Sequence, residues 1–141
     1  MAPPRLTGAG FLAWPETRAV FAAFEAAGID ARVVGGAVRN ALMGRPVTDI
    51  DVATPALPDA VIKAAQAAGL KTVPTGIAHG TVTAVAGERP FEVTTLRQDV
   101  ETYGRHAKVA FTVDWTADAR RRDFTMNALY CDASGDVFDP L

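Results

Sequence analysis

Residues 35–51 read Gly-Gly-Ala-Val-Arg-Asn-Ala-Leu-Met-Gly-Arg-Pro-Val-Thr-Asp-Ile-Asp, and this segment is the most informative part of the sequence. The β-branched run from Ala31 to Val34 precedes the two glycines and predicts a strand. Apolar residues at helical spacing from Ala37 to Met43 predict a short helix, which Gly44 to Pro46 end. Residues Val47 to Ala53 alternate between apolar and polar side chains, which is typical of a half-buried strand. The stretch is therefore a strand, a glycine pair, a helix and a second strand.

The glycine pair and the first helical turn could approach a phosphate. Gly35 and Gly36 have no Cβ, so a ligand can come close to the backbone, and a helix start offers free N–H groups. Arg39 lies in the first turn and could add a guanidinium fork for phosphate oxygens. A Gly-Gly pair by itself is more often only a turn, so the interpretation depends on the strand that follows.

That strand carries Asp49 and Asp51 two residues apart, so both carboxylates project from one face while Ile50 points toward the core. Two adjacent carboxylates repel each other unless a divalent cation neutralises them. Mg²⁺ is typically held by one or two carboxylates together with substrate phosphates. An Asp-x-Asp pair alone is more often a solvated strand face. Following closely on the glycine unit, it indicates a site for a metal–nucleoside triphosphate.

Two common nucleotide-binding motifs are absent from the sequence. No G-x-G-x-x-G follows the first strand, which argues against a dinucleotide-binding Rossmann unit. No Gly-Lys-Ser/Thr follows the glycines, which excludes a Walker A loop.

The rest of the chain predicts helices packed on one mixed sheet. Helices are expected over Thr17–Ala27, Leu57–Ala68 and Thr116–Arg122, and hairpins over Thr81–Arg97 and Ala128–Phe138. The polar, weakly patterned residues Gln98 to Val113 are expected to form a long loop.

Composition limits the classes of protein. The 141 residues suit one domain, and 14 basic against 16 acidic side chains give a net charge of −2. A chain that binds a long stretch of nucleic acid alone is usually basic, so any contact with nucleic acid here is expected to be local. Cys131 is the only cysteine, which excludes an internal disulfide and fits a reducing compartment such as the cytoplasm. No apolar run of about 18 residues and no secretory signal are visible, so no membrane partner is expected.

Four ordered segments resemble the class II tRNA nucleotidyltransferases, which are the CCA-adding enzymes, and their relatives the bacterial poly(A) polymerases. Residues 35–51 resemble the first catalytic motif of that family. Residues 79–97 resemble its central hairpin, and residues 99–115, with Tyr-Gly-Arg-His inside, resemble its flexible loop. Residues 121–129, Arg-Arg-Asp-Phe-Thr-Met-Asn-Ala-Leu, resemble its R-R-D-x-x-x-N motif. The resemblance covers about residues 32–140.

The resemblance implies an α+β nucleotidyltransferase head, in which a mixed, largely antiparallel sheet is backed by helices. It implies that Asp49 and Asp51 hold two Mg²⁺ ions. Further roles implied in this way are triphosphate binding by Gly35, Gly36 and Arg39, contact of Arg122 with the incoming nucleotide, and positions near its ribose for Asp123 and Asn127.

Glu92 is a candidate for a third acidic catalytic residue. If Phe91, Val93 and Thr95 face the core, Glu92 faces the opposite side of the sheet, where the aspartates are expected. A solvated carboxylate on a strand surface is an equally good interpretation of Glu92. Cys131 is expected to be a packing residue, since no histidine lies near it in the sequence.

The resemblance also implies an activity, namely transfer of nucleotides from CTP and ATP to the 3′ end of tRNA. Residues 1–141 are expected to form only the head, without the neck, body and tail domains that select the base and hold tRNA in this family. Such a fragment alone is expected to have little or no turnover. Two alternatives stay open: a poly(A) polymerase that uses ATP only, and a nucleotide-binding module without turnover. Asn40 departs from the family pattern, where an aspartate is common at this position.

Overall fold

The structure is a computed structural model that describes residues 10–47, 49–100, 108–122 and 128–140. Five helices are present in these ranges: α1 (Gly10–Ala13), α2 (Pro15–Ala26), α3 (Gly36–Leu42), α4 (Pro58–Ala67) and α5 (Trp115–Arg120). The strands are β1 (Arg32–Val34), β2 (Ile50–Thr54), β3 (Lys71–Gly76), β4 (Thr81–Ala86), β5 (Arg89–Thr95), β6 (Arg97–Val100), β7 (Lys108–Phe111), β8 (Tyr130–Cys131) and β9 (Val137–Phe138). A 3₁₀ turn over Ile77–His79 joins β3 to β4.

Seven of these strands form one sheet in the order β3-β4-β5-β2-β1-β8-β9. The pairing of β2 with β5 is parallel, and the other pairings are antiparallel. The predicted mixed, largely antiparallel α+β fold is therefore confirmed. None of the helices in the described ranges has the length and apolar character needed to cross a bilayer.

Helices α2 and α4 cover one face of the sheet. Each begins with a proline, Pro15 or Pro58, at a position where the missing N–H would have had no helical partner. Their apolar stripes bury Val20, Phe24 and Val61 against the inward side chains of the sheet. This larger core fixes the alternation of β2 and β5, and it thereby determines which residues point to the opposite face.

The opposite face is only partly covered. A smaller apolar cluster, which includes Val34, Ala53, Leu96, Ala119 and Tyr130, lies under α5 at one end of the sheet. Beyond this cluster, Asp51 of β2 and Glu92 of β5 are exposed on the same face.

The prediction of a long loop over Gln98–Val113 is wrong at both ends, where the structure has strands β6 and β7. Strands β6 and β7 pair as a two-stranded ribbon, with Arg97 opposite Phe111 and Val100 opposite Lys108. Neither Arg-Gln-Asp-Val nor Lys-Val-Ala-Phe alternates between apolar and polar residues, so the sequence gives no strand signal here. Phe111 packs on Gly80, where a Cβ would lie 2.6 Å from the ring. The middle of the predicted loop, residues 101–107, lies outside the described residues.

Strand β3 was not predicted from the sequence because it contains Pro74 and ends in Gly76, which are turn signals. It lies at the edge of the sheet, where a proline is tolerated, and its register with β4 shifts between Val73 and Gly76. The β4–β5 turn is also shorter than predicted. Only Gly87 and Glu88 form it, because β5 already begins at Arg89.

Candidate active site

Gly35 makes the sharp turn between β1 and α3. Its φ of 77° and ψ of −131° lie in a region that side chains with a Cβ rarely adopt. The Gly35 N–H donates to the Leu129 carbonyl at 3.3 Å, and the Gly35 carbonyl accepts from the Arg39 N–H at 3.1 Å. Apart from its two chain neighbours, no described residue has an atom within 4 Å of the position of a Gly35 Cβ, so a ligand can approach the backbone there. At Gly36 the nearest such atom is Nη2 of Arg39, at 3.6 Å.

We expect Gly35→Ala to destabilise the domain by about 1–3 kcal/mol, because alanine at this φ is strained even though space is available. Chemical denaturation with far-UV circular dichroism measures the loss. Gly10→Ala is the matched control, since Gly10 is helical, exposed and also has open space around its Cβ position. Equal stability of the two variants would contradict the assignment of Gly35 as a conformational requirement.

Asp49 and Asp51 are both exposed, and Ile50 between them is buried at 3% exposure. The parallel pairing of β2 with β5 sets Asp51 opposite Glu92, and Thr83 of β4 lies opposite Glu92 on the other side. Together with Pro90 and Ile50, these residues line an open cleft of about 390 Å³. The structure thus brings Glu92 to the aspartates, on the face away from α2 and α4.

The surroundings of Asp51 in the cleft raise its pKa. Partial burial of its carboxyl group is the largest cause, followed by the charge of Glu92, a hydrogen bond shared between these two carboxyl groups and the charge of Asp49. The positive charge of Arg122 acts in the opposite direction and lowers the pKa of Asp51. The cleft thus holds three acidic groups, and the positive charge of a guanidinium also acts on it. This environment favours a cation and a polyanionic ligand together.

The donor set fits Mg²⁺ bound jointly with a phosphate ligand. In the described ranges no three Asp, Glu, His or Cys side chains are arranged to ligate an ion by themselves. Magnesium usually takes one or two protein carboxylates, and substrate phosphates and waters supply its other ligands. Asp49 and Asp51 can provide that share, while the phosphates of a nucleotide would complete it.

Asp118 is a residue that sequence reasoning missed. It is only 1% exposed, and its Oδ2 accepts hydrogen bonds from Tyr130 Oη at 2.7 Å and from Arg122 Nη2 at 3.1 Å and Nε at 3.2 Å. Its Oδ1 accepts from the Arg97 backbone N–H at 2.9 Å. The four-residue spacing of Asp118 and Arg122 on a predicted helix was the one signal that could have indicated the pair.

The hydrogen bonds to Asp118 keep it ionised. Burial opposes the charge, but the Arg97 N–H, the Tyr130 hydroxyl and Arg122 outweigh it and lower the pKa of Asp118. The same contact and burial raise the pKa of Tyr130, with burial the larger cause. Arg122 is thus paired with an ionised carboxylate while its charge still reaches Asp51.

Two other sequence predictions have different outcomes. Cys131 is fully buried, and burial, followed by the charges of Asp132 and Asp136, raises the pKa of its thiol to about 12. This confirms that it is a packing residue. Asp123 and Asn127 lie outside the described residues, so their placement near a ribose stays a prediction.

Comparison with known proteins points to one family. Residues 31–141 match the family model described as the poly A polymerase head domain. CCA tRNA nucleotidyltransferase 1, mitochondrial, of Danio rerio is 48% identical over 109 residues, which are 77% of this chain and 25% of that relative. The CCA-adding enzyme of Geobacillus stearothermophilus is 46% identical over 116 residues, which are 81% of this chain and 28% of that enzyme.

Solved structures agree with the sequence relatives. The Bacillus stearothermophilus CCA-adding enzyme in complex with CTP superposes with a TM-score of 0.75 at 40% identity, covering 89% of this chain and 29% of that one. A tRNA nucleotidyltransferase complexed with a primer tRNA and an incoming ATP analog has a TM-score of 0.65 at 28% identity, covering 85% and 34%. The chain thus spans between a quarter and about a third of the length of these relatives. With the family model matched over most of its length, the chain belongs to the family of poly A polymerase head domains, several of whose relatives here are named CCA-adding enzymes.

Proposed function

We propose that this domain is the catalytic head of an enzyme that transfers nucleotides from CTP and ATP to the 3′ end of tRNA. The observation that carries the proposal is the cleft, which Asp49, Asp51 and Glu92 line together and in which the charge of Arg122 acts to lower the pKa of Asp51. The relatives named for CCA addition, and those whose structures hold CTP or an ATP analog, support the choice of substrates.

In the proposed reaction the 3′-oxygen of the tRNA bonds to the α-phosphorus of the nucleotide, and the bond to pyrophosphate breaks. Asp49 and Asp51 would hold two Mg²⁺ ions, which when bound supply charge neutralisation and lower the pKa of the attacking hydroxyl. Glu92 would add negative charge beside Asp51 as a third carboxylate. The residues of this chain act mainly by positioning and by electrostatics, as is usual for phosphoryl transfer.

The remaining contacts are proposed for the nucleotide. Gly35 and Gly36 would let the triphosphate approach the backbone, and Arg39 and Arg122 would pair with its oxygens. Asp123 and Asn127 would lie near the ribose. The tRNA would be gripped mainly by other domains, because the net charge of −2 gives this domain no general attraction for a polyanion. The lone buried thiol of Cys131 is compatible with a reducing compartment, and we propose the cytoplasm.

We expect the chain to bind CTP, ATP, GTP and UTP with similar affinity, and only when Mg²⁺ is present. The side chains proposed to bind the nucleotide contact its phosphates, the metal or the ribose, and none of them is proposed to contact the base. Isothermal titration calorimetry with each nucleotide, with Mg²⁺ and with EDTA, measures this. Binding that survives EDTA would contradict the metal-dependent site. A preference for CTP and ATP above about tenfold, or roughly 1.4 kcal/mol, would show that the head itself reads the base.

A further inference from the structure

Asp118 does not line the cleft with Asp49, Asp51 and Glu92, yet it contacts the arginine assigned to the nucleotide. Among the described residues it is the one buried carboxylate. The burial of an ionised carboxylate destabilises the fold unless its oxygens accept hydrogen bonds. Here the donors come from three separate elements, since Arg97 opens β6, Tyr130 lies on β8 and Arg122 follows α5.

The carboxylate itself is held rigidly. Tyr130 is fully buried, and its ring packs edge-to-face on Trp115 with the centroids 5.1 Å apart. Its hydroxyl fixes Oδ2 from one side, and the Arg97 backbone N–H fixes Oδ1 from the other. Two guanidinium groups pair with the fixed carboxylate, since Nε of Arg121 lies 3.6 Å from Oδ1 and Nη2 of Arg122 lies 3.1 Å from Oδ2.

Arg122 contacts Oδ2 with one edge of its guanidinium, through both Nε and Nη2. Within the described ranges, the donors on Nη1 and the outer donor of Nη2 therefore remain for another acceptor. The side chain of Arg122 is 20% exposed, which leaves it accessible to a ligand. One row of directly opposed residues crosses the strands β8, β1, β2 and β5, namely Tyr130, Val34, Asp51 and Glu92. Tyr130 is therefore two strands, or about 10 Å, from Asp51.

We propose that Asp118 is a positioning residue that presets Arg122 to meet the triphosphate of the nucleotide held at Asp49 and Asp51. The inference rests on the proposed function, because it assumes that Arg122 contacts the nucleotide. Asp118 touches no reacting atom. It fixes the orientation of Arg122, and an arginine ordered before the ligand arrives loses less conformational freedom on binding.

A double-mutant cycle on this chain, with Mg²⁺·CTP as the probe, tests the proposal. Asp118→Asn keeps the size of the side chain but removes its charge, and Arg122→Ala removes the positioned group. We expect each to weaken CTP affinity about tenfold, and we expect the double variant to bind within about twofold of either single variant, since both changes remove one contact. Asp114→Ala is the matched control. It removes another carboxylate from α5, the helix cap that accepts from Thr116 and Ala117, and it should change CTP affinity less than about twofold.

Losses that multiply in the double variant, or an Asp118→Asn variant that binds as well as the wild type, would overturn the proposal. If Asp118→Asn does not fold, Tyr130→Phe takes its place, because it keeps the aromatic ring and removes only one donor to Oδ2. We expect Tyr130→Phe to weaken CTP binding in the wild-type background and to have no effect in Arg122→Ala, and an equal effect in both backgrounds would count against positioning.

A second readout separates this proposal from the proposed function. Exchange of the Arg122 Nε–H with solvent, followed by NMR, should be slow in the nucleotide-free wild type and fast in Asp118→Asn or Tyr130→Phe. If exchange is slow but the chain fails to bind Mg²⁺·CTP, the result shows that Asp118 orders Arg122. It then refutes only the proposed function. Fast exchange in the wild type would refute the positioning role, whatever the chain binds.

Discussion

We expect Asp51→Asn to weaken Mg²⁺-dependent nucleotide binding by this domain and, in the absence of metal, to make its fold slightly more stable. The expected loss of CTP affinity is about tenfold or more. In an enzyme that carries the domain together with a tRNA-binding region, transfer should fall about a thousandfold or more. Metal ions contribute several kcal/mol to such reactions, and each 1.36 kcal/mol is a factor of about ten.

The gain in stability follows from the raised pKa of Asp51. Burial, Glu92 and Asp49 make the charged form unfavourable in the folded state. A carboxyl whose folded pKa exceeds its unfolded pKa favours the folded state at low pH, and this contribution is lost as the pH rises through the folded pKa. At pH 7 the ionised group therefore opposes folding. Asparagine removes that opposition, and its advantage should shrink on acidification.

Thermal unfolding at pH 7 and pH 4, with EDTA and with Mg²⁺, measures both effects on stability. Glu88→Gln is the control, because Glu88 is an exposed carboxylate in the β4–β5 turn. A large fall in melting temperature for metal-free Asp51→Asn would show that the aspartate is structural, and this would contradict the account of the cleft.

We expect Asp118→Ala to cost the fold about 3–5 kcal/mol, the largest loss of stability of any single substitution discussed for this chain. The change leaves the Tyr130 hydroxyl and the Arg97 N–H without their acceptor and leaves Arg122 unpaired in a partly buried position. Asp114→Ala, which removes only a helix cap, should cost about 1 kcal/mol. Urea denaturation of the three proteins gives the comparison.

The pH dependence of this loss has a definite sign. Hydrogen bonds and Arg122 hold the pKa of Asp118 below its usual value, so the ionised form favours the folded state. The stabilisation is complete above the unfolded pKa of about 3.9 and is lost as the pH falls through the lower folded pKa. The difference between wild type and Asp118→Ala should therefore be constant from pH 7 to about pH 5 and should shrink below pH 4. A difference that shrinks between pH 7 and pH 5 would assign the effect to another group.

The sequence predicted the elements that depend on local pattern. The turn at Gly35 and the shared face of Asp49 and Asp51 follow from glycine chemistry and strand alternation, and both are present. Alternation also placed Glu92 opposite the core, but only the parallel pairing of β2 with β5 brings it beside Asp51. That pairing joins residues about forty positions apart, and no local pattern encodes it.

Two features escaped prediction for different physical reasons. The β6–β7 ribbon pairs Arg-Gln-Asp-Val with Lys-Val-Ala-Phe, and neither strand alternates between apolar and polar residues, so the side-chain pattern carries no signal for it. The Asp118 cluster brings together Arg97, Tyr130 and Arg122, which the sequence alone assigns to three separate elements. In the sequence Asp118 looks like a solvent-exposed helix residue, because only the folded structure shows that it is buried.

We propose that Asp49 and Asp51, together with a nucleoside triphosphate, form the metal site of this domain. Mn²⁺ added together with CTP tests this assignment, because the ion broadens the NMR signals of nearby amides. We predict broadening at Ile50, Asp51 and Glu92 that requires CTP and disappears in Asp51→Asn, with the amides of the Asp132–Asp136 turn unaffected. Broadening centred on Asp132 and Asp136, or broadening that is unchanged in Asp51→Asn, would contradict the assignment of this cleft as the active site.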